Sequence, residues 1–391
     1  MTSYTRLDLG TLGGSSSYAA AINSSGVVVG WSETKGGDTH AFRWTPGAGM
    51  VDLGTLPGQQ SSQAVAILDG TVGTDSQILG MSGRDAVVWS ASGSISVLPV
   101  PLIPSASSTF PQGFNDRGEV VGFDSGGDLG QHAWIWSAHD GKSDLTSAGQ
   151  VTSNEGSASA ITPDGVALLT ARAPTCTRSA QCWRTYLWSR DSGFQPLGVP
   201  NNNSEASVTG LALNEAGTVV GWLDGSGVVV AYRWTATTGF TILGNYPSAT
   251  YAYAAGVNAG GNTVGAALEP TSRSIVATLW PASGGILRLT PEDPKPSVAL
   301  AINSGGSVVG WASVSTGVNH AMVWVPSSQL TKQQLADARL SSNVSSPIAN
   351  HAELLSATDD GCLKQIHSLG SRHALFACVM QADRARRTGA R

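Results

Sequence analysis

Short apolar runs alternate with turn signals along the whole chain, and the same order of runs returns about every 45–50 residues. Each unit starts with a run of small and apolar residues, such as AAAIN, and continues into an Asn-x-x-Gly turn. A Val-rich run such as VVVGW follows, then a loop, then a His-Ala-aromatic-x-Trp run. β-branched and aromatic residues favour strands, and a last short run such as MVDLG predicts a fourth strand. Four short strands per unit are typical of a β-propeller blade.

Two markers stay in step through the repeats. The turn glycine recurs at Gly26, Gly70, Gly118, Gly165, Gly217, Gly261, Gly306 and Gly361. The tryptophan of the third run recurs at Trp44, Trp89, Trp136, Trp188, Trp234, Trp280 and Trp324. The eighth unit keeps the pattern but has Ala377 at the tryptophan position. We therefore predict an all-β fold, a closed β-propeller, with eight four-stranded blades favoured over seven.

Ring closure is predicted from the two ends of the repeat series. The eighth unit has no fourth strand after Val379, whereas residues 4–9 resemble a fourth strand that has no unit before it. Pairing the two would complete the last blade and remove exposed strand edges. We expect one propeller domain over residues 1–380 and a flexible basic tail over 381–391. The units span approximately 10–53, 54–98, 99–145, 146–197, 198–243, 244–289, 290–330 and 331–380.

The phrases LGTLGGSSSYAAAINSSGVVVGWS and THAFRWTPGAGMVDLGTLPG, with QHAWIW and NHAMVW, make the sequence similar to the HAF-repeat family of bacteria. The resemblance covers residues 8 to about 380 and is strongest in units one, three and seven. It implies a repetitive β architecture and export to the cell exterior, and it implies no particular reaction. The sequence opens MTSYTRLDLG without a signal-peptide pattern. A secreted or periplasmic protein that has lost its leader is expected, with a cytoplasmic one as the alternative.

The composition and the motifs of the chain limit which partners, metals and cofactors are expected. Charged residues make up only 13% of the chain and the formal net charge is −5, which argues against a nucleic-acid partner. No apolar run reaches the roughly 18 residues of a membrane span. We expect no membrane insertion and a monomer. No CxxC, HExxH, calcium-loop or GxSxG pattern occurs, and no glycine-rich turn leads from a strand into a helix. We expect no metal and no cofactor.

The two ends of the predicted ring differ in their loops. The turns after the first and third strands are short and regular, whereas the loops after the second and fourth strands vary greatly. Variable loops on a rigid scaffold are where binding residues concentrate. Aromatic, amide and charged side chains there would suit a glycan. The predicted ligand-binding residues are Tyr246, Tyr251, Tyr253, Phe110, Glu155, Asn202, Glu205, Arg184 and Arg273.

Candidate acid–base residues are few. The repeated histidines His40, His132, His320 and His373 occupy one position per unit, so they are interpreted as structural. Off the repeat, His351 and His367 lie in loops of one unit, and with Glu353 they are the predicted catalytic residues. Glu155, Glu205, Glu269 and Glu353 could converge as glycosidase carboxylates.

The leading hypothesis is a binding module that engages a glycan or other surface polymer through the variable loops. One alternative is a polysaccharide lyase or glycosidase with its site in the central funnel, so enzyme activity is left open. A second is a protein–protein interaction platform, since fold alone decides none of these.

The four cysteines are predicted to form two local disulfides. Cys362 starts the second strand and Cys378 ends the third strand of the eighth unit, so the two face each other across a hairpin. Cys176 and Cys182 flank the tip of the loop between the second and third strands of unit four. The alternative is four buried free thiols. Disulfides would indicate an oxidising compartment.

Overall fold

A computed structural model of the chain describes residues 3–70, 77–90, 92–102, 106–126, 130–146, 151, 155–173, 182–203, 206–225 and 228–331. These residues form seven four-stranded antiparallel sheets, which are the blades of a β-propeller. Within the described ranges, the helical segments are the short 3-10 turns Pro200–Asn202 and Ser327–Gln329. The protein is therefore an all-β, seven-bladed propeller.

The strands run outward from the ring axis in chain order within each blade. Blade 1 contains β2 (Gly13–Ile22), β3 (Val28–Thr34), β4 (Thr39–Thr45) and β5 (Gly49–Asp52). Blade 2 contains β6 (Ser62–Ile67), β7 (Ile78–Ser82), β8 (Asp85–Trp89) and β9 (Ile95–Val97). Blade 3 contains β10 (Ser108–Phe114), β11 (Val120–Ser125), β12 (Gln131–Ser137) and β13 (Gly141–Asp144).

The remaining blades repeat this order. Blade 4 contains β14 (Gly156–Ile161), β15 (Ala167–Arg172), β16 (Trp183–Ser189) and β17 (Gly193–Pro196). Blade 5 contains β18 (Ser207–Leu213), β19 (Val219–Asp224), β20 (Val229–Thr235) and β21 (Gly239–Ile242). Blade 6 contains β22 (Ala252–Val257), β23 (Thr263–Glu269), β24 (Ser274–Trp280) and β25 (Leu287–Arg288). Blade 7 contains β26 (Ser297–Ile302), β27 (Val308–Ser315) and β28 (Val318–Pro326), with β1 (Tyr4–Asp8) as its outermost strand.

The predicted number of eight blades is wrong, because the ring already closes at the seventh. β1 pairs with β28 of the seventh unit, from Tyr4 opposite Pro326 to Asp8 opposite Met322. The Ala321 carbonyl of blade 7 accepts a hydrogen bond from the Leu9 amide, and the Ala321 amide donates to Ser17 Oγ of blade 1. The N-terminal strand therefore closes the ring as predicted, but it completes a different blade. The eighth unit lies outside the described residues.

Every innermost strand carries a β-bulge at the same place, and the bulge explains the glycine of the Val-rich run. In blade 1 the register shifts between Ala19 and Ala21, and a Cβ on Gly30 would lie 2.0 Å from the Tyr18 carbonyl oxygen. Bulges bend a strand and bring backbone close to its neighbour. The second strand needs glycine there because no side chain fits beneath the carbonyl. Blade 4 departs from the pattern, with Leu169 at the equivalent position.

The asparagine of the Asn-x-x-Gly turn joins neighbouring blades. Asn258 Oδ1 accepts a hydrogen bond from the Asn262 amide of its own turn, while Asn258 Nδ2 donates to the Asn303 carbonyl of blade 7. Asn303 donates in the same way to the Asn23 carbonyl of blade 1, at 3.0 Å. Leu68 and Thr162 replace this asparagine in blades 2 and 4 and have no amide to donate. The bond therefore recurs at most blade junctions but not at all of them.

The hydrophobic core lies between the blades, where each sheet packs on the next. The side chains of Phe42 and Val28 in blade 1 pack on Val309, Ala321 and Val323 of blade 7. The short turns between first and second strands and between third and fourth strands lie at one end of the ring, here named the scaffold end. The variable end holds the loops between second and third strands and those that lead into the next blade.

Candidate functional site

One side-chain position on the variable-end side of the glycine position recurs in every blade, and its residues are here named the belt. It is formed by the second-strand residue that follows the glycine position, once in each blade, and each of these residues pairs with a residue of the innermost strand. The belt consists of Trp31, Met81, Phe123, Thr170, Trp222, Ala266 and Trp311.

Belt tryptophans occur in blades 5, 7 and 1, and in blade 6 Tyr253 pairs with the belt residue Ala266. Tyr18 stacks on Trp31 with ring centroids 5.6 Å apart, and Trp311 of blade 7 contacts the same tyrosine edge-on at 6.2 Å. Trp222 of blade 5 packs in one buried cluster with Tyr253 of blade 6, and this cluster also reaches Trp311. Trp311 is half-buried, whereas Trp31 and Trp222 are buried. Of the three belt tryptophans, Trp311 is therefore the most exposed.

Blades 3 and 4 differ from this aromatic sector. Phe110 of blade 3 is half-buried and stacks on Phe123 with centroids 4.9 Å apart. In blade 4 the belt residue is Thr170, whose Oγ1 accepts a hydrogen bond from the Gly210 amide of blade 5. Thr185 Oγ1 on the third strand donates to the Val208 carbonyl, so the hydroxyl groups of blade 4 join it to blade 5.

In the part of the chain that the structure describes, the repeated histidines His40, His132 and His320 pair with carboxylates on the fourth strand of their own blades. His40 Nδ1 lies 2.8 Å from Asp52 Oδ2, and His320 Nδ1 lies 2.8 Å from Asp8 Oδ2. Asp52 also accepts a hydrogen bond from the Gly54 amide, as Asp8 does from the Gly10 amide. These pairs join the third strand to the fourth strand and organise the loop that follows. The histidine therefore reaches the loop backbone through the carboxylate and not directly.

Two predicted ligand-binding tyrosines lie in the core. Tyr251 and Tyr253 are 8% and 3% exposed, and their rings meet edge-on at 5.9 Å. Burial raises the pKa of both hydroxyl groups above the ordinary value. The expected position at an exposed rim is therefore wrong for these two rings, because the strand that contains Tyr253 directs its ring between blades 5, 6 and 7.

Other predicted ligand-binding residues are spread over separate blades. Tyr246 is half-buried, with its hydroxyl 3.4 Å from Thr278 Oγ1, and burial raises its pKa. Glu155 lies 3.5 Å from Arg172 in an ion pair, and Arg184 Nη1 donates to the Trp183 carbonyl at 2.9 Å. Arg273 is exposed and has a φ of 53°. These residues do not form one constellation.

The predicted carboxylate and catalytic positions are only partly described. Glu269 accepts hydrogen bonds from the Thr271 and Ser272 amides, and the contacts with Ser272 lower its pKa to about 2. It is therefore committed to its own loop. Asn202 lies in the Pro200–Asn202 turn. Glu205, His351, Glu353 and His367 lie outside the described residues, so their roles stay predictions.

The cysteines are described at one position. Cys182 is buried immediately before β16, at 2% exposure. Cys176, Cys362 and Cys378 lie outside the described residues, and both disulfide pairings stay predictions. Across the described ranges, no group of three or more His, Cys, Asp or Glu side chains is arranged to hold a metal ion. No helix in those ranges has the length and apolar character of a membrane span.

The predicted ligand-binding residues do not include the belt tryptophans, although the sequence contains a signal for them. The run Val-Val-Gly-Trp recurs in units one, five and seven, at Trp31, Trp222 and Trp311. The residue that follows this glycine position occupies the same structural position in every blade, although Leu169 replaces the glycine in blade 4. Its identity in each blade can therefore be read from the sequence.

No family model matches the sequence, and no curated protein matches it. Among solved structures, puromycin hydrolase superposes with a TM-score of 0.56 at 15% identity, over 82% of this chain and 53% of that chain. Prolyl oligopeptidase B from Galerina marginata superposes with a TM-score of 0.54 at 11% identity, over 83% and 51%. This chain thus spans about half the length of these enzymes.

A third similar structure is matched along nearly all of its length. Streptogramin B lyase superposes with a TM-score of 0.50 at 12% identity, and the match covers 83% of this chain and 97% of that chain. Identities this low establish a shared β-propeller fold and nothing about function.

Proposed function

We propose that the protein is a binding module that engages a glycan or another surface polymer at the variable end of its propeller. The observation that carries this proposal is the half-buried ring of Trp311, which contacts Tyr18 edge-on and packs against the cluster around Tyr253. A tryptophan that is fixed on one side and open on the other offers a rigid apolar platform beside polar groups. The apolar face of a sugar ring fits such a platform.

A polar side chain at the variable end complements this platform. In the loop between the second and third strands of blade 6, at the variable end, Arg273 is exposed. Exposed polar side chains in such loops can hydrogen-bond the hydroxyl groups of a sugar. We propose a secreted or periplasmic location for this module, in keeping with the HAF-repeat resemblance of its sequence.

The test is a glycan array with the purified protein, followed by titration of the best ligand against the Trp311→Ala variant. We expect this substitution to weaken binding at least about tenfold, equivalent to 1.4 kcal/mol. Trp44→Ala is the matched control, because Trp44 is also half-buried but lies at the scaffold end of β4. Equal affinities for wild type and Trp311→Ala, with both proteins folded by circular dichroism, would refute the proposed site.

A second candidate is an enzyme that acts in the same funnel, either a polysaccharide lyase or a glycosidase. The match to streptogramin B lyase supports this candidate. It covers 97% of that chain, so a protein named as a lyase consists almost entirely of a propeller. The glycans that bind on the array are incubated with the protein and analysed by mass spectrometry. Unsaturated products would support a lyase and hydrolysed products a glycosidase. Intact glycans after prolonged incubation would leave binding as the function.

A further inference from the structure

Blade 3 contains a lysine and an aspartate that face each other away from water. Lys142 of β13 donates a hydrogen bond from Nζ to Asp124 Oδ2 of β11, and their side chains are 6% and 0% exposed. Lys142 Nζ also donates to the Pro101 carbonyl at 2.8 Å and lies 4.9 Å from the centre of a Trp134 ring. A primary amine and a carboxyl group are therefore held in contact beside an indole, between blades 3 and 2.

A histidine–carboxylate pair stands next to this contact. His132 lies directly opposite Asp124 in the ladder between β11 and β12, a position that puts Cβ atoms about 4.5–5.5 Å apart. His132 Nδ1 lies 3.2 Å from Asp144 Oδ2, so the carboxylate, which can only accept, retains the ring proton on Nδ1. His132 is 8% exposed, and Nε2 is buried without a hydrogen-bond partner in the part of the chain that the structure describes.

We propose that Lys142 and Asp124 condense to an intramolecular isopeptide bond, with His132 as the proton carrier. Burial lowers the pKa of Lys142, although Asp124 and Asp144 oppose the shift. A desolvated lysine gives up its proton readily and becomes a nucleophile. The partner acid is already in contact, so no diffusive encounter is needed.

The reaction balances without any further reagent. A proton moves from Lys142 Nζ to the Asp124 carboxylate, which leaves a neutral amine beside a neutral acid. The Nζ lone pair attacks Cγ, and the nitrogen–carbon bond forms. His132 Nε2 takes one proton from the nitrogen and returns it to the departing hydroxyl group. The carbon–oxygen bond breaks, water leaves, and an amide joins β11 to β13.

Blade 1 has the same histidine–aspartate pair as blade 3 and can be compared with it. In blade 1, Ser32 occupies the place of Asp124, opposite His40, and Met50 occupies the place of Lys142, opposite Trp44. Blade 1 therefore retains the histidine–aspartate pair of His40 and Asp52 but has no amine and no acid to join. The condensing pair is a particular feature of blade 3.

The mass of the wild-type protein shows whether the isopeptide bond forms. We expect the denatured, reduced chain to be lighter than its sequence mass by one water. Trypsin does not cleave after an acylated lysine, so residues 118–172 should appear as one fragment that lacks one water. Separate fragments 118–142 and 143–172, each at its sequence mass, would overturn the proposal and leave Lys142 and Asp124 as a buried ion pair.

Variants test the assigned roles. Lys142→Arg and Asp124→Ala should restore the full sequence mass, whereas Asp124→Asn should still react but lose ammonia in place of water. In freshly synthesised protein, His132→Ala should slow the mass loss at least tenfold, and His40→Ala, the control from blade 1, should leave its rate unchanged. Equal rates of mass loss for the wild type, His132→Ala and His40→Ala would show that His132 takes no part in the reaction. If Lys142→Arg does not fold, the wild-type fragment pattern still decides whether the bond exists.

Discussion

At the residue scale, close steric contacts explain why one residue type recurs at a given position of the repeat. A Cβ on Gly265 would lie 2.0 Å from the Tyr253 carbonyl oxygen and 2.9 Å from Ala254 Cα. The obstructing atoms belong to the backbone of the bulged strand, so neither can move without opening the blade.

Replacement of this glycine should therefore destabilise the protein. We expect Gly265→Ala to lower the free energy of unfolding by about 1–3 kcal/mol or more, the usual result of forcing an atom into packed structure. Gly244→Ala is the matched control, because a Cβ there meets no atom within 4 Å. Urea unfolding of both variants measures the difference. A Gly265→Ala protein as stable as Gly244→Ala would contradict the steric explanation.

At the element scale, blades are joined by side chains that reach from one turn to the next. Asn258 connects the turn of blade 6 to that of blade 7, and Asn303 connects blade 7 to blade 1. Each of these amides satisfies a buried backbone carbonyl while it holds its own turn through Oδ1. The loss of such a group removes two hydrogen bonds and leaves buried partners unpaired.

Asn258→Ala should accordingly cost about 1–3 kcal/mol in the free energy of unfolding, because the Asn303 carbonyl loses its donor. Asn245→Ala serves as the control, since Asn245 Nδ2 donates within its own loop, to the Ala249 carbonyl at 3.4 Å. Chemical denaturation of the two variants provides the comparison. Equal losses in both would mean that the inter-blade bond adds nothing to ring stability.

At the scale of the whole molecule, stability depends on how the ring closes. β1 hydrogen-bonds to β28, and Arg6 Nη1 on this strand lies 2.7 Å from Asp293 Oδ2 in the connection between blades 6 and 7. Burial tends to raise the pKa of Asp293, but hydrogen bonds from Arg6 and the Lys295 amide outweigh it and leave the pKa lowered. The closing strand is therefore held by a backbone ladder and by an ion pair.

Deletion of residues 1–9 should lower the thermal midpoint by several degrees and promote aggregation. The deletion removes β1 and exposes the edge of β28, and unpaired edges recruit other strands. Deletion of residues 1–2 alone, which leaves β1 in place, is the control. Differential scanning calorimetry and light scattering provide the two readouts. An unchanged midpoint in the longer deletion would show that β1 does not close the ring.

The sequence by itself determined the blade. The period, the Asn-x-x-Gly turn and the Val-rich run predicted four antiparallel strands per unit, because strand propensity and turn chemistry act over a few residues. It also identified residues 4–9 as a closing strand. The four-stranded units are local features and the structure shows them as predicted, whereas the closing strand pairs with the seventh unit and not with the eighth.

Only the tertiary structure decided the number of blades and which aromatic side chains are buried. Successive units have the same local pattern in a ring of seven or of eight, and the partner of β1 is set by the angle between packed sheets. Tyr253 and Trp311 show the same limit, since the sequence indicated aromatic residues at the variable end without indicating which rings face solvent. Exposure there depends on how neighbouring blades pack, and that packing joins residues far apart in the chain.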